Sequence, residues 1–309
     1  KIGKNDRFEL IQVVWGGAKD TPVEADKEAE ISQVTLNGKR LSRKKQDDSD
    51  LPEQMAVLAE KICEAAIKEK IPAQTAVWLP VLPVSVELNE VRVERSWNGS
   101  EWNPVANWLA PVVGIVDYPA IRQQPPMIVD LAKEGHLLIH GGPVTGKTTL
   151  LQTLIVSLVL DHSPKDLHLY LLDFGVQNLR LFEDFPHVGA VIGASEVERA
   201  RRFFTHLGKL VEERKDVLGG EIPNIRTLRE KKPDQALPEI VLVVDNFATF
   251  MTLFHEGKVS TPEYDIIKLI ANEGSALGIH LVATTSSPTF PPAIREKIGH
   301  VICLEMTNP

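Results

Sequence analysis

The chain has 309 residues, with 34 Lys plus Arg against 42 Asp plus Glu and a formal net charge of −8. Its 43% hydrophobic and 25% charged composition excludes a disordered or fibrous protein, and at roughly 150 residues per domain the length allows about two domains. The acidic balance weighs against a surface built to neutralise many phosphates, while Cys63 and Cys303, far apart and without metal or redox spacing, read as buried thiols of a reducing compartment.

The chain opens Lys1-Ile2-Gly3-Lys4 without an initiator Met and ends Thr307-Asn308-Pro309 soon after an apolar run, so both ends read as cuts in a longer protein. Residues 8–15 are strand-like and close on Gly16-Gly17, and residues 31–36 alternate apolar and polar up to the turn signal Asn37-Gly38. The charged run 43–48 is expected to be a solvated loop. Residues 51–70 carry a helical pattern with Met55, Leu58, Ile62 and Ala66 on one face and Pro52 near the first turn. The proline-dense stretch 72–83 suits an extended connector pinned by an aromatic side chain. Trp97, Trp102 and Trp108 follow among turn signals and read as packing anchors.

Beyond about residue 112, short apolar runs alternate with helical patterns. Five strands are expected, over 136–140, 167–172, 240–244, 279–283 and 301–304. The clearest helix runs over 195–218, with Ser195 and Glu198 as a capping box and Ala200, Phe203, Phe204, Leu207, Leu210 and Val211 as its buried stripe. The most apolar stretch, 150–160, carries Gln152, Thr153 and Ser157 and falls short of the roughly 18 residues that span a bilayer, so it reads as a buried helix. Buried strands separated by helices indicate an α/β fold with a mainly parallel sheet flanked by helices. A smaller strand and helix linker region precedes it. The expected division is 1–50 as a linker or the end of a preceding unit, 51–112 as a helical and Pro/Trp-rich connector, and 113–309 as the α/β domain.

Chemistry concentrates in Gly141-Gly142-Pro143-Val144-Thr145-Gly146-Lys147-Thr148-Thr149, which satisfies G-x-x-x-x-G-K-[ST] between an apolar strand and a helix. The glycines let backbone N–H groups turn inward as an anion nest, and the helix start adds the positive end of its dipole. Lys147 would reach the β and γ phosphates of a nucleotide, and the Thr148 hydroxyl would help hold Mg²⁺. The second metal anchor is an acid ending a neighbouring apolar strand, and Asp245, after residues 240–244, is expected to hold Mg²⁺ through water. The next residue is Asn246. Hydrolytic P-loop enzymes often place Glu there to accept a proton from the attacking water, and an amide orients water but is no base at neutral pH. ATP binding with slow turnover is the expectation. The tripeptide Asp173-Phe174-Gly175 matches a kinase metal-binding motif, but no His-Arg-Asp loop accompanies it, and Asp173 is expected to end a strand beside the phosphate-loop strand as a nucleotide-proximal or structural acid.

Several segments together resemble the FtsK/SpoIIIE family of hexameric P-loop ATPases, and more narrowly the multi-domain EssC/EccC ATPases of bacterial type VII secretion. Trp78-Leu79-Pro80-Val81-Leu82-Pro83 is similar to that family's W-L-P-x-L-P entry to each ATPase unit. Val113-Gly114-Ile115-Val116-Asp117-Tyr118-Pro119 is similar to its V-G-x-x-D-x-P segment, and Gly278-Ile279-His280-Leu281 to its G-I-H-L strand. The resemblance covers roughly residues 51–309 and is strongest to the second ATPase unit with its preceding linker. It implies a RecA/FtsK-like P-loop fold that takes ATP and Mg²⁺. It also implies neighbouring ATPase domains in the same chain, a homo-hexameric parent anchored on the cytoplasmic side of the cell membrane, and secreted proteins with other secretion components as partners. Three departures stand out. Asn246 replaces the catalytic Glu, Ser286-Ser287-Pro288 stands where translocases often have Gln-Arg-Pro, and Ser275 stands where active units often carry a trans-acting arginine, with Arg295 as a substitute candidate. The reading is therefore a weakly hydrolysing, structural or regulatory ATP-binding unit of a secretion motor. Its rivals are a fully active protein-translocating ATPase and, disfavoured by the net −8, a double-stranded DNA translocase.

Overall fold

A computed structural model of the chain describes residues 17–20, 34–38, 51–72, 78–92, 96–103, 108–255, 257, 260–287 and 289–305. They divide into two compact units at the boundary between Val77 and Trp78, inside the segment 51–112 that the sequence treats as one connector. The strand expected over 8–15, the start of the one over 31–36 and the charged run 43–48 lie outside the described residues.

In the first unit, the turn expected at Asn37-Gly38 closes with the Gly38 N–H donating to the Thr35 carbonyl at 2.9 Å. Helix α1 (Gln54–Lys68) begins three residues after Leu51 and has no side-chain cap. Met55, Leu58 and Ile62 do line up along it, but each is more than half exposed.

The second unit opens with residues 78–87 in neither helix nor strand. Trp78 is 80% exposed and so is not the expected anchor among the described residues; the stretch is tied instead by Gln124 Nε2, which donates to the Pro80 carbonyl at 2.8 Å. The prolines at 80 and 83 remove backbone donors, which keeps the stretch out of helix and sheet as expected. A one-turn helix, α2 (Leu88–Val91), follows with a Glu87/Glu90 capping box. An antiparallel pair comes next, β1 (Val112–Ile115) with β2 (Pro126–Ile128), then the short helix α3 (Leu131–Glu134).

The main sheet is assembled from β3 (Leu137–His140), β4 (Leu167–Asp173), β5 (Val188–Gly193), β6 (Glu239–Asp245), β7 (Ile279–Thr285) and β8 (His300–Cys303). All neighbours run parallel in the order β5-β4-β6-β7-β3-β8. It therefore has six strands, one more than expected. The added strand is β5, whose two glycines and alanine dilute the apolar run that marks the others.

The central strands β6 and β7 are buried along their whole length, as a parallel sheet covered on both faces requires. Alternate residues serve opposite cores. Val241, Val243 and Val282 face the layer containing Leu151, Leu154 and Leu158 of α4 (Lys147–Asp161). Leu242, Val244, Leu281 and Ala283 face α5 (Val197–Leu218), α6 (Ile225–Lys231), α7 (Phe247–Phe254) and α8 (Pro262–Glu273). A final one-turn helix, α9 (Pro292–Arg295), precedes β8.

Helix α5 keeps its predicted stripe, with Ala200, Phe203, Phe204, Leu207 and Val211 buried, but not its predicted cap. The residue at the N-cap is Glu196, one turn position later than Ser195, and its carboxylate turns back to accept the Gly193 N–H at 2.8 Å. That contact serves the end of β5, which the local pattern does not reveal. Both cysteines are free and exposed, not buried. Cys63 rides on a helix without buried residues, and Cys303 ends an edge strand.

The tryptophan-rich segment wraps the C-terminal half of α4. Trp97 and Trp102 lie 4.2 Å apart between ring centroids, and the Trp102 indole N–H donates to the Val159 carbonyl at 3.0 Å. Arg92 pairs with Asp161, and the Val112 N–H donates to Ser157 Oγ at 3.1 Å. The hydroxyl that interrupts the most apolar helix thus satisfies the backbone donor that starts β1.

Candidate nucleotide site

Strand β3 delivers the chain into the loop 141–146 at the C-terminal edge of the sheet. The base of the loop is tied down on two sides. The Gly141 N–H donates to the Thr285 carbonyl at 3.2 Å, and the Gly142 N–H to the Glu305 carbonyl at 3.0 Å. Inside the loop, Thr145 Oγ1 donates to the Gly142 carbonyl at 2.9 Å. Gly146 is the N-cap of α4 at φ 94°, a left-handed conformation that a Cβ would oppose, which explains the glycine immediately before Lys147. Pro143 and Val144 form the exposed tip, and Thr149 faces outward from the first helical turn.

Lys147 begins α4, and its ammonium lies over the loop, donating to the carbonyls of Gly141 at 3.0 Å and Gly142 at 2.5 Å. Thr148, one residue on, donates to Asp245 Oδ2 at 3.4 Å. The structure therefore brings together the two residues that the sequence assigned to a metal.

Asp245 is the last residue of β6 and is 3% exposed. Burial pushes its carboxyl pKa above the usual range, and Asp173 adds to this, against the hydrogen bonds from Thr284 and Thr148 and the charge of Lys147. The expectation that its strand neighbours the phosphate-loop strand is corrected: β7 lies between β3 and β6. The inserted strand supplies Thr284, whose hydroxyl donates to Asp245 Oδ1 at 2.6 Å and accepts the Asn246 N–H at 2.9 Å. Thr284 was not among the residues the sequence singled out. Its trace in the sequence is a pair of hydroxyls, Thr284-Thr285, closing an otherwise apolar strand.

Asp173 is placed differently from its expectation. It ends β4, opposite Asp245 in register, with β6 and β7 separating it from β3, so it does not sit beside the phosphate-loop strand. Parallel pairing extends outward from β6, and sequence spacing does not report this order. Its two oxygens accept the Gln177 N–H at 3.1 Å and the Leu179 N–H at 2.8 Å, which fixes the following loop. Phe174 is buried against Phe250 and Phe254, and its N–H donates to the Asp245 carbonyl at 3.2 Å. A Cβ on Gly175 would come within 2.6 Å of Asp245 Oδ2. The kinase-like tripeptide is thus a support for the acid.

Asn246 occupies the N-cap of α7 at φ 61° and ψ 69°. Asn is one of the few non-glycine residues that adopt this left-handed conformation readily. Its Nδ2 donates to the Phe174 carbonyl at 3.4 Å, which leaves Oδ1 as the side chain's acceptor. Ser275 is exposed before β7, its Oγ 3.4 Å from His136 Nε2, at the end of the sheet opposite Asp245. Ser286 and Arg295 are exposed, after β7 and on α9.

The donor set suits Mg²⁺. The ion takes hard oxygens, and in nucleotide sites it is held by one or two protein oxygens plus phosphates instead of an all-protein cage. Thr148 and Asp245 provide those oxygens, and among the described residues no group of three or more His, Cys, Asp or Glu forms a separate metal site.

The model of the FtsK/SpoIIIE family matches residues 105–307. The ESX-3 secretion system protein EccC3 of Mycobacterium tuberculosis H37Rv is 32% identical over 237 residues, covering 74% of this chain and 17% of that protein. The type VII secretion system protein EssC of Staphylococcus aureus MRSA252 is 27% identical over 328 residues, covering 100% of this chain and 22% of its own. Among solved structures, Thermomonospora curvata EccC (ATPases 2 and 3) in complex with a signal sequence peptide is similar, with a TM-score of 0.66 and 31% identity over 75% of this chain and 43% of that one. The chain thus spans about a fifth of the length of these curated relatives.

Proposed function

The chain belongs to the FtsK/SpoIIIE family, and from that premise we propose that it is a Mg-ATP-binding unit of a type VII secretion motor with slow turnover and a structural or regulatory part in export. The observation that carries the binding half is Thr148 meeting Asp245 at 3.4 Å beside the loop that Lys147 crosses. Bound nucleotide would exchange the Lys147 contacts with loop carbonyls for phosphate oxygens, and Mg²⁺ would supply charge neutralisation between phosphates and Asp245.

The slow-turnover half rests on Asn246. Its Oδ1 can accept a hydrogen bond from a water and orient it, but the amide cannot take up the proton that attack on the γ phosphorus releases. Ser275 at the position of a trans-acting arginine points the same way, because such an arginine supplies on the order of 10³–10⁵ in rate where it acts. ATP held without rapid loss would stabilise the folded unit by mass action.

By extension from the relatives, the unit would work beside further ATPase domains of one chain, in a homo-hexamer at the cytoplasmic side of the membrane. A signal sequence peptide, as bound in the Thermomonospora structure, is the partner class to test first. The net charge of −8 weighs against the DNA-translocating alternative.

Single-turnover hydrolysis and Mg-ATP titration test the reading in wild type, Lys147→Ala, Asn246→Ala and Asn246→Glu. Mg-ATP binding lost in Lys147→Ala, hydrolysis equal in wild type and Asn246→Ala, and faster hydrolysis in Asn246→Glu are expected. Rapid wild-type hydrolysis abolished by Lys147→Ala would establish the fully active motor instead.

A further inference from the structure

We infer that Thr284 is a positioning residue that makes Asp245 selective for nucleotide carrying its magnesium, an inference that rests on the Mg-ATP reading above. The Thr284 side chain is fully buried and has two hydrogen bonds, one in each direction. It donates to Asp245 Oδ1 at 2.6 Å and accepts the Asn246 backbone N–H at 2.9 Å. Its proton is therefore committed to the carboxylate, because the oxygen's role towards Asn246 is that of acceptor.

This bond divides the carboxylate. Oδ1 is held from the side of β7, and Oδ2 is left towards Thr148, 3.4 Å away, on the first turn after the phosphate loop. Gly175 closes the other side, where a Cβ would stand 2.6 Å from Oδ2. A carboxylate pinned at one oxygen presents the other at a fixed place, which is what a hard cation held through water needs from its outer partner. The same hydroxyl accepts the Asn246 backbone N–H, so the acid and the residue that follows it are both tied to one group on the strand between β3 and β6.

Thr284 is buried, and among the described residues its hydroxyl bonds Asp245 and Asn246 and no residue of the phosphate loop. Its effect should therefore appear in the metal-dependent part of nucleotide binding and be absent from the metal-free part, whereas a residue that only supports the fold would lower both alike.

The experiment is equilibrium titration of the full chain with ATPγS, in excess Mg²⁺ and in EDTA, for wild type, Thr284→Val and Thr284→Ser. The valine keeps the shape and removes the hydroxyl, and the serine restores it. Thr284→Val is expected to weaken binding in Mg²⁺ by about tenfold, the low end for loss of a group that orients a metal ligand, and to change binding in EDTA by less than about twofold. Thr284→Ser is expected to keep the wild-type ratio of the two affinities. An equal loss in both conditions, or no loss in either, overturns the inference; if the valine variant does not fold, Thr284→Ala is read by the same ratio. Wild type that binds ATPγS in neither condition overturns the underlying nucleotide reading, and this inference with it.

Discussion

Asn246 illustrates how one residue answers two demands. Its backbone sits at φ 61° where β6 turns into α7, a conformation Asn accepts with little cost, and its amide spans to the Phe174 carbonyl. A Glu here would supply a base but would have to hold the same backbone without that local preference. Gly175 is the matching constraint on the other side of Asp245. Gly175→Ala should weaken Mg-nucleotide binding several-fold, because the added Cβ would lie 2.6 Å from Oδ2 and the carboxylate, tied to Thr284, has little room to retreat. Titration with and without Mg²⁺ reads this directly, and unchanged affinity in both conditions would remove Gly175 from the site. The phosphate loop was legible because its residue types are fixed by one local structure. Thr284 was not, because its role depends on a partner 39 positions away.

Helix α4 carries the site at its first turn and the wrapping segment at its last. Arg92 and Asp161 are both largely buried, with side chains 3% and 13% exposed. Burial raises the Asp161 pKa while Arg92 opposes the shift. Arg92→Ala leaves that acid without its partner and should cost on the order of 3 kcal/mol. A fall in denaturation midpoint at unchanged slope would measure it, and an unchanged midpoint would mean that the segment 92–112 contributes little to the unit. The helix pattern of α4 and the stripe of α5 were readable because amphipathic or continuous apolar spacing is a property of consecutive residues. The cap of α5 is not legible locally, because Glu196 serves β5, a strand whose glycines and alanine hide it.

Across the whole second unit, the edge opposite the nucleotide site is held by buried charges. Arg214, near the C-terminal end of α5, donates to the carbonyls of Leu277, Gly278 and Pro238, and burial lowers its pKa to about 10. Glu239 accepts from Arg229 at 2.9 Å; burial acts to raise its pKa, but His280 and Arg229 outweigh this and hold it at about 2. His136 accepts the Leu281 N–H at 3.0 Å, and burial, with repulsion from His280 added, holds its pKa at about 4. A folded-state pKa below the ordinary 6.5 means that the unfolded chain takes up the proton first. Stability is therefore level above pH 6.5 and falls as pH drops towards 4, by about 3 kcal/mol from this one group. Glu239 adds a further loss only below its ordinary 4.5. His136→Asn should flatten the upper part of that acid limb, measured as unfolding free energy from pH 7 to 4. An unaltered slope would place the proton uptake on other buried histidines.

The sequence by itself determined the class of fold, the phosphate loop and the place of the acid proposed to hold the metal, because each is written in consecutive residues whose conformation or burial is local. Only the tertiary structure decided the order of the strands, and with it that β7 stands between β3 and β6. That order turned Thr284 from an unremarked strand residue into the partner of Asp245, and placed Asp173 on a strand separated from β3 by two others, opposite Asp245 and holding the following loop. Parallel strands are paired by helices that cross between them, so which side chains meet at the edge of the sheet is set by the crossovers and not by distance along the chain.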